Sequence, residues 1–332
     1  MDRAEIIKYK DYLLNNLRLH DEYDAALGLK RKTLMVEGTT DEAFIEKILR
    51  PDARCLPVIE FIRARNAFST ASKPQKVNHK EVITTILQRI SMFPEAFDFP
   101  KGAEKWPLYG MVDNDFGTEA SFSRVTNLFF TDTHDIETLM MATDPELLTR
   151  LDNCPISVEE TKKALYLAGQ ISEFRKAIAD DGTFSQSAIS RSDGIIEYAA
   201  FTDGDKVNLN KLLEYVNSQT TPPLSKEKLK RTRQRIAGSM RKSIDSDGSW
   251  KKPVSVLPVG QDSELWIEIN GHDVLSAIIF VNKRAKETFS NASGYSHNRD
   301  FEFALLREYD YKQFKKTRLY GKLAAKELLN EY

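Results

Sequence analysis

Hydrophobic positions in the first half of the chain form short runs separated by amphipathic segments. The apolar runs, each of which predicts a β-strand, lie at 33–36, 56–62, 107–112 and 127–130. Between them, apolar residues spaced by three and four positions predict helices over 41–49 and about 81–92. Strands that alternate with helices are typical of an α/β fold, and we expect a mostly parallel, doubly wound sheet.

Helical spacing dominates the second half of the chain. The helices predicted there lie at 157–179, 207–217, 225–243, 271–287 and 300–332, and the last of these ranges holds one or two helices. A short strand at 265–270 and a connector rich in glycine, serine and proline at 245–258 interrupt them. We therefore predict an N-terminal helix over 1–30, an α/β domain over 31–150 and a mainly helical region over 151–332.

The composition is that of an ordinary globular protein. With 41% hydrophobic residues, a chain of 332 residues buries a substantial core. Because 29% of the residues are charged and neither a membrane-length apolar run nor a signal peptide is seen, we expect a cytoplasmic protein that does not contact a membrane. Cys55 and Cys154 are too few for a disulfide framework and lack zinc-site spacing. The net charge of -1 argues against a protein that coats nucleic acid through bulk charge.

Acidic residues follow two of the predicted strands. Glu37 and Asp41 flank a glycine-containing turn after the first strand, and Asp113 and Asp115 follow the third. Because the carboxyl ends of parallel strands share one edge of a sheet, these carboxylates are expected to converge, which is unfavourable without a cation among them. Mg²⁺, with Mn²⁺ as a substitute, suits such oxygen ligands. The alternative is that Asp113 and Asp115 are ordinary turn residues.

The metal-site hypothesis carries a structural condition. The carboxyl groups of Glu37, Asp113 and Asp115 must meet in one pocket, and a structure that places them far apart or ties them up with arginine or lysine would rule the hypothesis out. Two further acids, Asp135 and Glu137, stand at the head of a predicted helix. They either assist the metal site, as outer ligands or by orienting water, or stabilise the helix N-terminus.

Four segments resemble known nucleases. VEGTTD at 36–41 and VDND at 112–115 together resemble the acidic motifs of the TOPRIM domain, over roughly residues 31–145. The E-x-x-x-D form of the first motif is similar to the overcoming-lysogenization-defect (OLD) branch. THDIE at 133–137 and NGHDVL at 270–275 resemble segments of the AriB effector nuclease family of PARIS-type phage-defence systems.

The resemblance implies a metal-dependent endonuclease that acts as a toxic effector of antiviral defence. It implies that Glu37, Asp113 and Asp115 bind Mg²⁺, with Asp41 at a second metal position, that RNA such as tRNA is cleaved, and that the nuclease is a homodimer. It also implies release by an ABC-type ATPase, which must be a separate chain because no Walker motif is present here. An OLD-like nuclease that nicks or cleaves DNA and a non-catalytic TOPRIM binding module remain alternatives.

Basic residues concentrate in two later segments. The first covers 226–242 and is expected to be one helix, which either binds nucleic acid through its phosphates or is a solvated surface. The candidate nucleic-acid ligands on it are Lys228, Lys230, Arg231, Arg233 and Arg235. The second lies between 309 and 322, where tyrosines and a phenylalanine alternate with lysines, and such aromatic residues are more often core than base-stacking platforms. His272 and Asp273 either touch the active site or form a buried hydrogen bond at a helix start.

Overall fold

The computed structural model describes most of the chain. The described residues are 32–58, 79–92, 108–125, 127–152, 154–189, 196–204, 206–240, 248, 267–290 and 297–330. The predicted N-terminal helix lies outside them, as does the predicted connector at 245–258 apart from Gly248. The chain divides into two compact units, the first made of Met1–Asp132 and Lys315–Tyr332 and the second of Thr133–Phe314.

The first unit contains a four-stranded parallel sheet. Its strands are β1 (Lys32–Val36), β2 (Ala53–Pro57), β3 (Leu108–Val112) and β4 (Leu128–Phe130). They lie in the order β2-β1-β3-β4, and every neighbouring pair is parallel. Leu34, Met35 and Val36 are fully buried, as expected for a central strand that is covered on both faces. The predicted α/β class with a parallel sheet is confirmed.

The described α-helices lie mostly in the segments where helical spacing predicts them, but the range 300–332, predicted to hold one or two helices, contains three. In chain order they are α1 (Thr39–Glu46), α2 (His79–Met92), α3 (Ile136–Thr143), α4 (Val158–Asp181), α5 (Leu209–Gln219), α6 (Lys226–Ser239), α7 (Gly271–Val281), α8 (Lys283–Ser290), α9 (His297–Glu308), α10 (Tyr311–Phe314) and α11 (Arg318–Ala324). A 3-10 helix, Asp115–Phe122, connects β3 towards β4. None of the helices in the described part of the chain combines the length and the apolarity that a membrane crossing requires.

The order of the strands reverses direction between β1 and β3. The chain leaves β1 through α1 to reach β2 on one side, and then returns past β1 to place β3 on the other side. Since such crossovers are almost always right-handed, this reversal is compatible with a doubly wound sheet, with helices on both faces. The gap between the carboxyl ends of β1 and β3 is therefore the topological switch point, where open α/β sheets bind their ligands.

A glycine allows α2 to pack closely on β3. A Cβ atom at Gly110 would lie 2.5 Å from Cγ2 of Ile83 and 2.7 Å from Cδ1 of Leu87, both on α2. Only a residue without a side chain permits this approach. The contact places the first turn of α2 beside the carboxyl end of the sheet, and this turn carries Lys80.

The second unit is a helical assembly around α4 and α7. These two helices pack along each other. The fully buried residues on them include Leu167, Ile171, Phe174, Val274, Leu275 and Ile278. A two-stranded antiparallel hairpin, β5 (Thr202–Asp203) and β6 (Lys206–Val207), was not predicted. The backbone N–H of Val207 donates to the buried Gln170 side chain of α4 at 2.7 Å, which anchors the hairpin.

Three predicted elements differ from the structure in their bounds or in their type. The second strand begins at Ala53 and ends at Pro57, so it starts before the apolar run at 56–62. The predicted strand at 265–270 is not confirmed for its described residues, because residues 267 and 268 are helical, 269 is a bend and Asn270 caps α7. The helix predicted over 271–287 ends at Val281, and a new helix starts where the Asn282 side chain accepts the N–H of Ala285 at 2.7 Å.

Candidate metal centres

Glu37 and Asp113 meet where β1 and β3 end. Each residue directly follows its strand, and the two strands are hydrogen-bonded neighbours. The carboxylate Oε1 of Glu37 accepts a hydrogen bond from the backbone N–H of Asp113 at 2.8 Å. The structure thus brings the two predicted motifs together at the switch point of the sheet.

The other two predicted ligands of this edge flank that pair. Asp41 lies in the first turn of α1, where its Oδ2 accepts the backbone N–H of Gly38 at 2.9 Å. Asp115 is the first residue of the 3-10 helix, and its side chain is 43% exposed. Between the acids after β3, Asn114 is buried and its N–H donates to Oγ1 of Thr131 at 3.0 Å. This bond fixes the loop that presents Asp115.

A lysine takes part in the site. Nζ of Lys80 donates to the carbonyl oxygen of Asp113 at 2.5 Å and to Oδ2 of Asp115 at 3.0 Å. Its side chain is largely buried, and the ammonium also lies 5.7 Å from the centre of the Phe130 ring. The condition that no lysine binds the three predicted carboxylates is therefore not met for Asp115. The carboxylate of Glu37 instead accepts a backbone hydrogen bond.

The charge of Glu37 is poorly compensated in this arrangement. Burial is the largest cause of its raised pKa, which moves from an ordinary 4.5 to about 7. The negative charges of Asp41 and Asp115 raise the pKa as well, whereas the N–H of Asp113 and the charge of Lys80 lower it. The protein therefore disfavours a negative charge on Glu37 near neutral pH, and a cation beside this group would reverse that preference.

Asp135 caps a helix, as one of the two interpretations expected. Its Oδ1 accepts the N–H of Thr138 at 2.9 Å, and its Oδ2 accepts the N–H of Gly271 at 2.6 Å. Burial acts to raise the pKa of Asp135, but the hydrogen bond and charge of His134 outweigh it and hold the pKa below its usual range. His134 is itself buried.

Glu137 belongs to a second cluster, which lies within the second unit. Among the described residues, the group of three acidic or histidine side chains whose ligand atoms all lie within 4.8 Å of one another is Glu137, His272 and Glu302. Nε2 of His272 lies 2.9 Å from Oε1 of Glu302. Burial acts to lower the pKa of His272, but Glu302, Glu137 and Asp135 outweigh it and raise the pKa to about 10. The acids at the edge of the sheet do not form a set this close.

Asp273 supports the start of α7 through an ion pair. Its two carboxylate oxygens accept bonds from Nε and Nη2 of Arg175 at 2.9 and 2.8 Å. Its carbonyl accepts the hydroxyl of Tyr198 at 3.1 Å, and its N–H is held by the cap residue Asn270. The buried helix-start interpretation therefore describes Asp273, whereas its neighbour His272 belongs to the second cluster.

The predicted basic helix is α6, and three of its arginines are engaged by acids. Arg231 pairs with Glu227, Arg233 with Glu214 and Arg235 with Asp181, at 3.3, 3.2 and 2.6 Å. In contrast, Lys228 and Lys230 are exposed and have no acidic partner among the described residues. Two further basic residues of the predicted stretch, Arg241 and Lys242, lie outside the described part of the chain.

The aromatic residues of the second basic segment are mostly core, as expected. Tyr309 and Phe314 are buried, and Tyr311 packs edge-on against Tyr309 with ring centres 5.2 Å apart. Lys322 pairs with Glu119, and Arg318 lies 3.6 Å from Asp132. In the described structure, Tyr309, Tyr311 and Phe314 therefore pack inside the protein, and they do not form an exposed row on which nucleic-acid bases could stack.

Comparison with known proteins adds no family. No family model matches the chain, and no curated protein matches it. The resemblance to TOPRIM nucleases therefore rests on the four motifs.

Sequence reasoning missed two participants. Lys80 was visible only as one of several basic residues before a helix, and Glu302 as one of many helical acids. Neither has a local signal, because each acquires its role from contact with residues of other elements. The spacing of polar residues on one helix could not reveal those contacts.

Proposed function

We propose that this protein cleaves phosphodiester bonds of nucleic acid with the help of a divalent cation, Mg²⁺ or Mn²⁺. The observation that carries the proposal is the hydrogen bond from the backbone N–H of Asp113 to Glu37 at the switch point of the sheet. Open parallel sheets bind their ligands outside the carboxyl ends of the strands at this point. The acids that predict the chemistry are thus at the edge where a ligand is expected.

The residues at this edge have the right chemistry for such a cation. Glu37, Asp41, Asp113 and Asp115 offer carboxylate oxygens, which Mg²⁺ prefers over nitrogen or sulfur. The raised pKa of Glu37 marks a place where positive charge is favoured. When bound, a divalent cation lowers the pKa of a water ligand and neutralises charge on the leaving oxygen.

The protein side chains have separate tasks in this proposal. Glu37 and Asp113 hold the cation between neighbouring strand ends, and Asp41 adds negative charge from the first turn of α1. Lys80 would contact the substrate phosphate if Asp115, its present partner, became a ligand of the cation. The exposure of Asp115, 43% of its side chain, leaves room for this exchange.

The substrate and the biological setting follow from the motif resemblance. RNA, and tRNA in particular, is the favoured substrate, and the activity is that of a toxic antiviral effector which a separate ABC-type ATPase restrains and releases. DNA nicking of the OLD type is the alternative reaction at the same site. Lys228 and Lys230 of α6 supply exposed positive charge for the phosphate backbone.

One observation favours a second candidate, a non-catalytic binding module. The Lys80–Asp115 ion pair supplies an internal cation where the first candidate needs a metal. In such a module the ion pair between Lys80 and Asp115 is permanent, and no metal ion displaces the lysine. The two candidates therefore differ in whether Mg²⁺ binds at all.

The test is cleavage by the purified full-length protein. Wild type, Glu37→Gln and Glu46→Gln are incubated with Mg²⁺ or Mn²⁺ against total tRNA, plasmid and single-stranded DNA. Glu46 is an exposed acid on α1 and serves as the matched control. We expect cleavage by wild type and Glu46→Gln, and a loss of about a thousandfold in Glu37→Gln, equivalent to about 4 kcal/mol of transition-state stabilisation.

Two outcomes contradict the nuclease proposal. Cleavage that survives Glu37→Gln shows that the activity arises elsewhere. If wild type cleaves none of the substrates and does not bind Mg²⁺ in calorimetry, the binding module is supported instead. The substrate that is cut decides between RNA and DNA.

A further inference from the structure

Three helices of the second unit bring one metal-binding side chain each to a common point. Glu137 is the second residue of α3, His272 is the second residue of α7, and Glu302 lies within α9. Their ligand atoms all lie within 4.8 Å of one another. The cluster belongs to the second unit alone and offers an imidazole nitrogen together with two carboxylates.

The start of α7 can lie close to the start of α3 because Gly271 has no side chain. A Cβ atom at Gly271 would lie 2.5 Å from Oδ1 of Asp135 and 2.6 Å from Cβ of Glu137. Because Gly271 has no Cβ atom, its N–H can donate to Oδ2 of Asp135 at 2.6 Å. This contact fixes the start of α7, and with it His272, against the start of α3.

We propose that Glu137, His272 and Glu302 bind a first-row transition-metal dication, represented by Zn²⁺. One imidazole and two carboxylates are a donor set that suits zinc and its neighbours better than Mg²⁺. Metal–ligand bonds of about 2.0–2.2 Å separate two ligand atoms by about 3.0–3.5 Å, depending on the angle. The 2.9 Å between Nε2 of His272 and Oε1 of Glu302 is only about 0.1 Å below the short end of this range, so an ion would enter with a small outward shift of these two atoms.

Burial and charge favour a dication at this point. Glu137 and Glu302 are 5% and 6% exposed, and buried carboxylates need a positive partner. With a protonated imidazole, the three groups together carry one net negative charge. With a dication bound to the neutral imidazole, they carry none. The side chain of His272 is 49% exposed, which gives an ion a route from solvent.

The competing interpretation is a permanent ion-pair cluster in which a proton stays on His272. In that case Nε2 donates to Glu302 and no metal enters. The two interpretations make different predictions for metal content, so the measurement needs no enzymatic activity. It also does not depend on the proposed nuclease function.

The experiment measures zinc binding to full-length protein in a Glu37→Ala background, which removes the central ligand of the first site. Protein stripped with a chelator is titrated with Zn²⁺, and bound metal is counted by mass spectrometry after gel filtration. We expect one Zn²⁺ per chain, retained in the control Asp300→Asn, an exposed acid on the same helix as Glu302. In His272→Gln and in Glu302→Gln we expect an affinity loss of at least about tenfold, and in their combination no retained metal.

A second measurement keeps the proposal falsifiable if those variants unfold. Co²⁺ added to the Glu37→Ala protein, with all three cluster residues intact, should give visible absorption bands that Zn²⁺ displaces, whereas excess Mg²⁺ should leave them unchanged. The proposal is overturned if the Glu37→Ala protein retains no zinc and shows no such bands. It is equally overturned if zinc stays bound in folded His272→Gln and Glu302→Gln.

Discussion

The acidic groups at the edge of the sheet and those at the helix starts of the second unit are compensated in opposite ways. At the sheet edge, burial and neighbouring carboxylates raise the pKa of Glu37 to about 7, and one lysine balances only part of the charge. In the second unit, burial acts to raise the pKa of Asp135, but His134, the charge of His272 and the backbone N–H of Thr138 outweigh it and hold this pKa below its usual range.

The two regions therefore compensate the charge of buried carboxylates in different ways. At the sheet edge, the negative charge of Glu37 is destabilising, and a bound cation would offset it. The second unit has positive charge built in, so a metal there must replace the proton of His272. We therefore expect Mg²⁺ to bind at the edge of the sheet. At the cluster of Glu137, His272 and Glu302, we expect a transition-metal ion to compete with the proton of His272.

Removing a built-in cation of the second unit should cost the most stability. Arg175→Met leaves the buried carboxylate of Asp273 without its bidentate partner, and we expect a loss of about 3–5 kcal/mol in the free energy of unfolding. Urea denaturation followed by circular dichroism measures it. The matched control is Lys176→Met, because the adjacent lysine pairs with Glu268 at the surface and its loss should cost at most about 1 kcal/mol. Equal effects of the two substitutions would refute the contrast between buried and exposed pairs.

The close approach at Gly271 should be the next most sensitive feature. Gly271→Ala places a Cβ atom against Asp135 and Glu137, and we expect a destabilisation of about 1–3 kcal/mol. Gly238→Ala is the control, because that helical glycine has open space around it and alanine should be neutral or stabilising by up to about 1 kcal/mol. Thermal unfolding compares them. A Gly271→Ala protein as stable as wild type would show that the helix starts do not touch.

The strained charge at the sheet edge should respond to pH in the opposite sense to a stabilising ion pair. Because the pKa of Glu37 is raised in the folded state, the folded protein binds more protons than the unfolded chain between about pH 4.5 and 7. This group therefore lowers stability as the pH rises through that window. Glu37→Gln removes the charge, and we expect it to stabilise the metal-free protein by about 1–2 kcal/mol at pH 8.

The same pair of proteins supplies its own control at low pH. At pH 4.5 the wild-type carboxyl is protonated, so Glu37→Gln and wild type should unfold at nearly the same urea concentration. Adding Mg²⁺ at pH 8 should stabilise wild type only. A stability difference that is the same at pH 4.5 and pH 8 would mean that the substitution acts through packing and not through charge.

The smallest effect is expected from the exposed lysines of α6. Replacing Lys228 and Lys230 by glutamine should reduce the slope of log affinity against log salt by about 1.4 for single-stranded nucleic acid, at about 0.7 per phosphate contact. Fluorescence anisotropy with labelled RNA measures it. Lys162 and Lys163 of α4 provide a control pair with the same change of charge. An identical slope in both double variants would place the binding surface elsewhere.

Local patterns predicted most of the fold. The strands at the centre of the sheet begin and end within a residue or two of the apolar runs, since a buried parallel strand is apolar along its whole length. The start of β2 was predicted too late because Arg54 interrupts the apolar pattern of this edge strand, whose first two residues are only partly buried. The helix break at Asn282 was missed because the apolar spacing continues through it.

For the candidate sites, the apolar runs and the helical spacing were sufficient to place Glu37, Asp113 and Asp115 after strands and Asp135 and Glu137 at the start of a helix. The sequence by itself therefore determined the meeting of Glu37 with Asp113, because neighbouring parallel strands end at a common edge. The tertiary structure alone decided that Lys80 binds Asp115 and that Glu302 joins Glu137 and His272. The physical reason is that periodicity reports the environment along one element, whereas a side-chain contact between elements depends on how those elements pack.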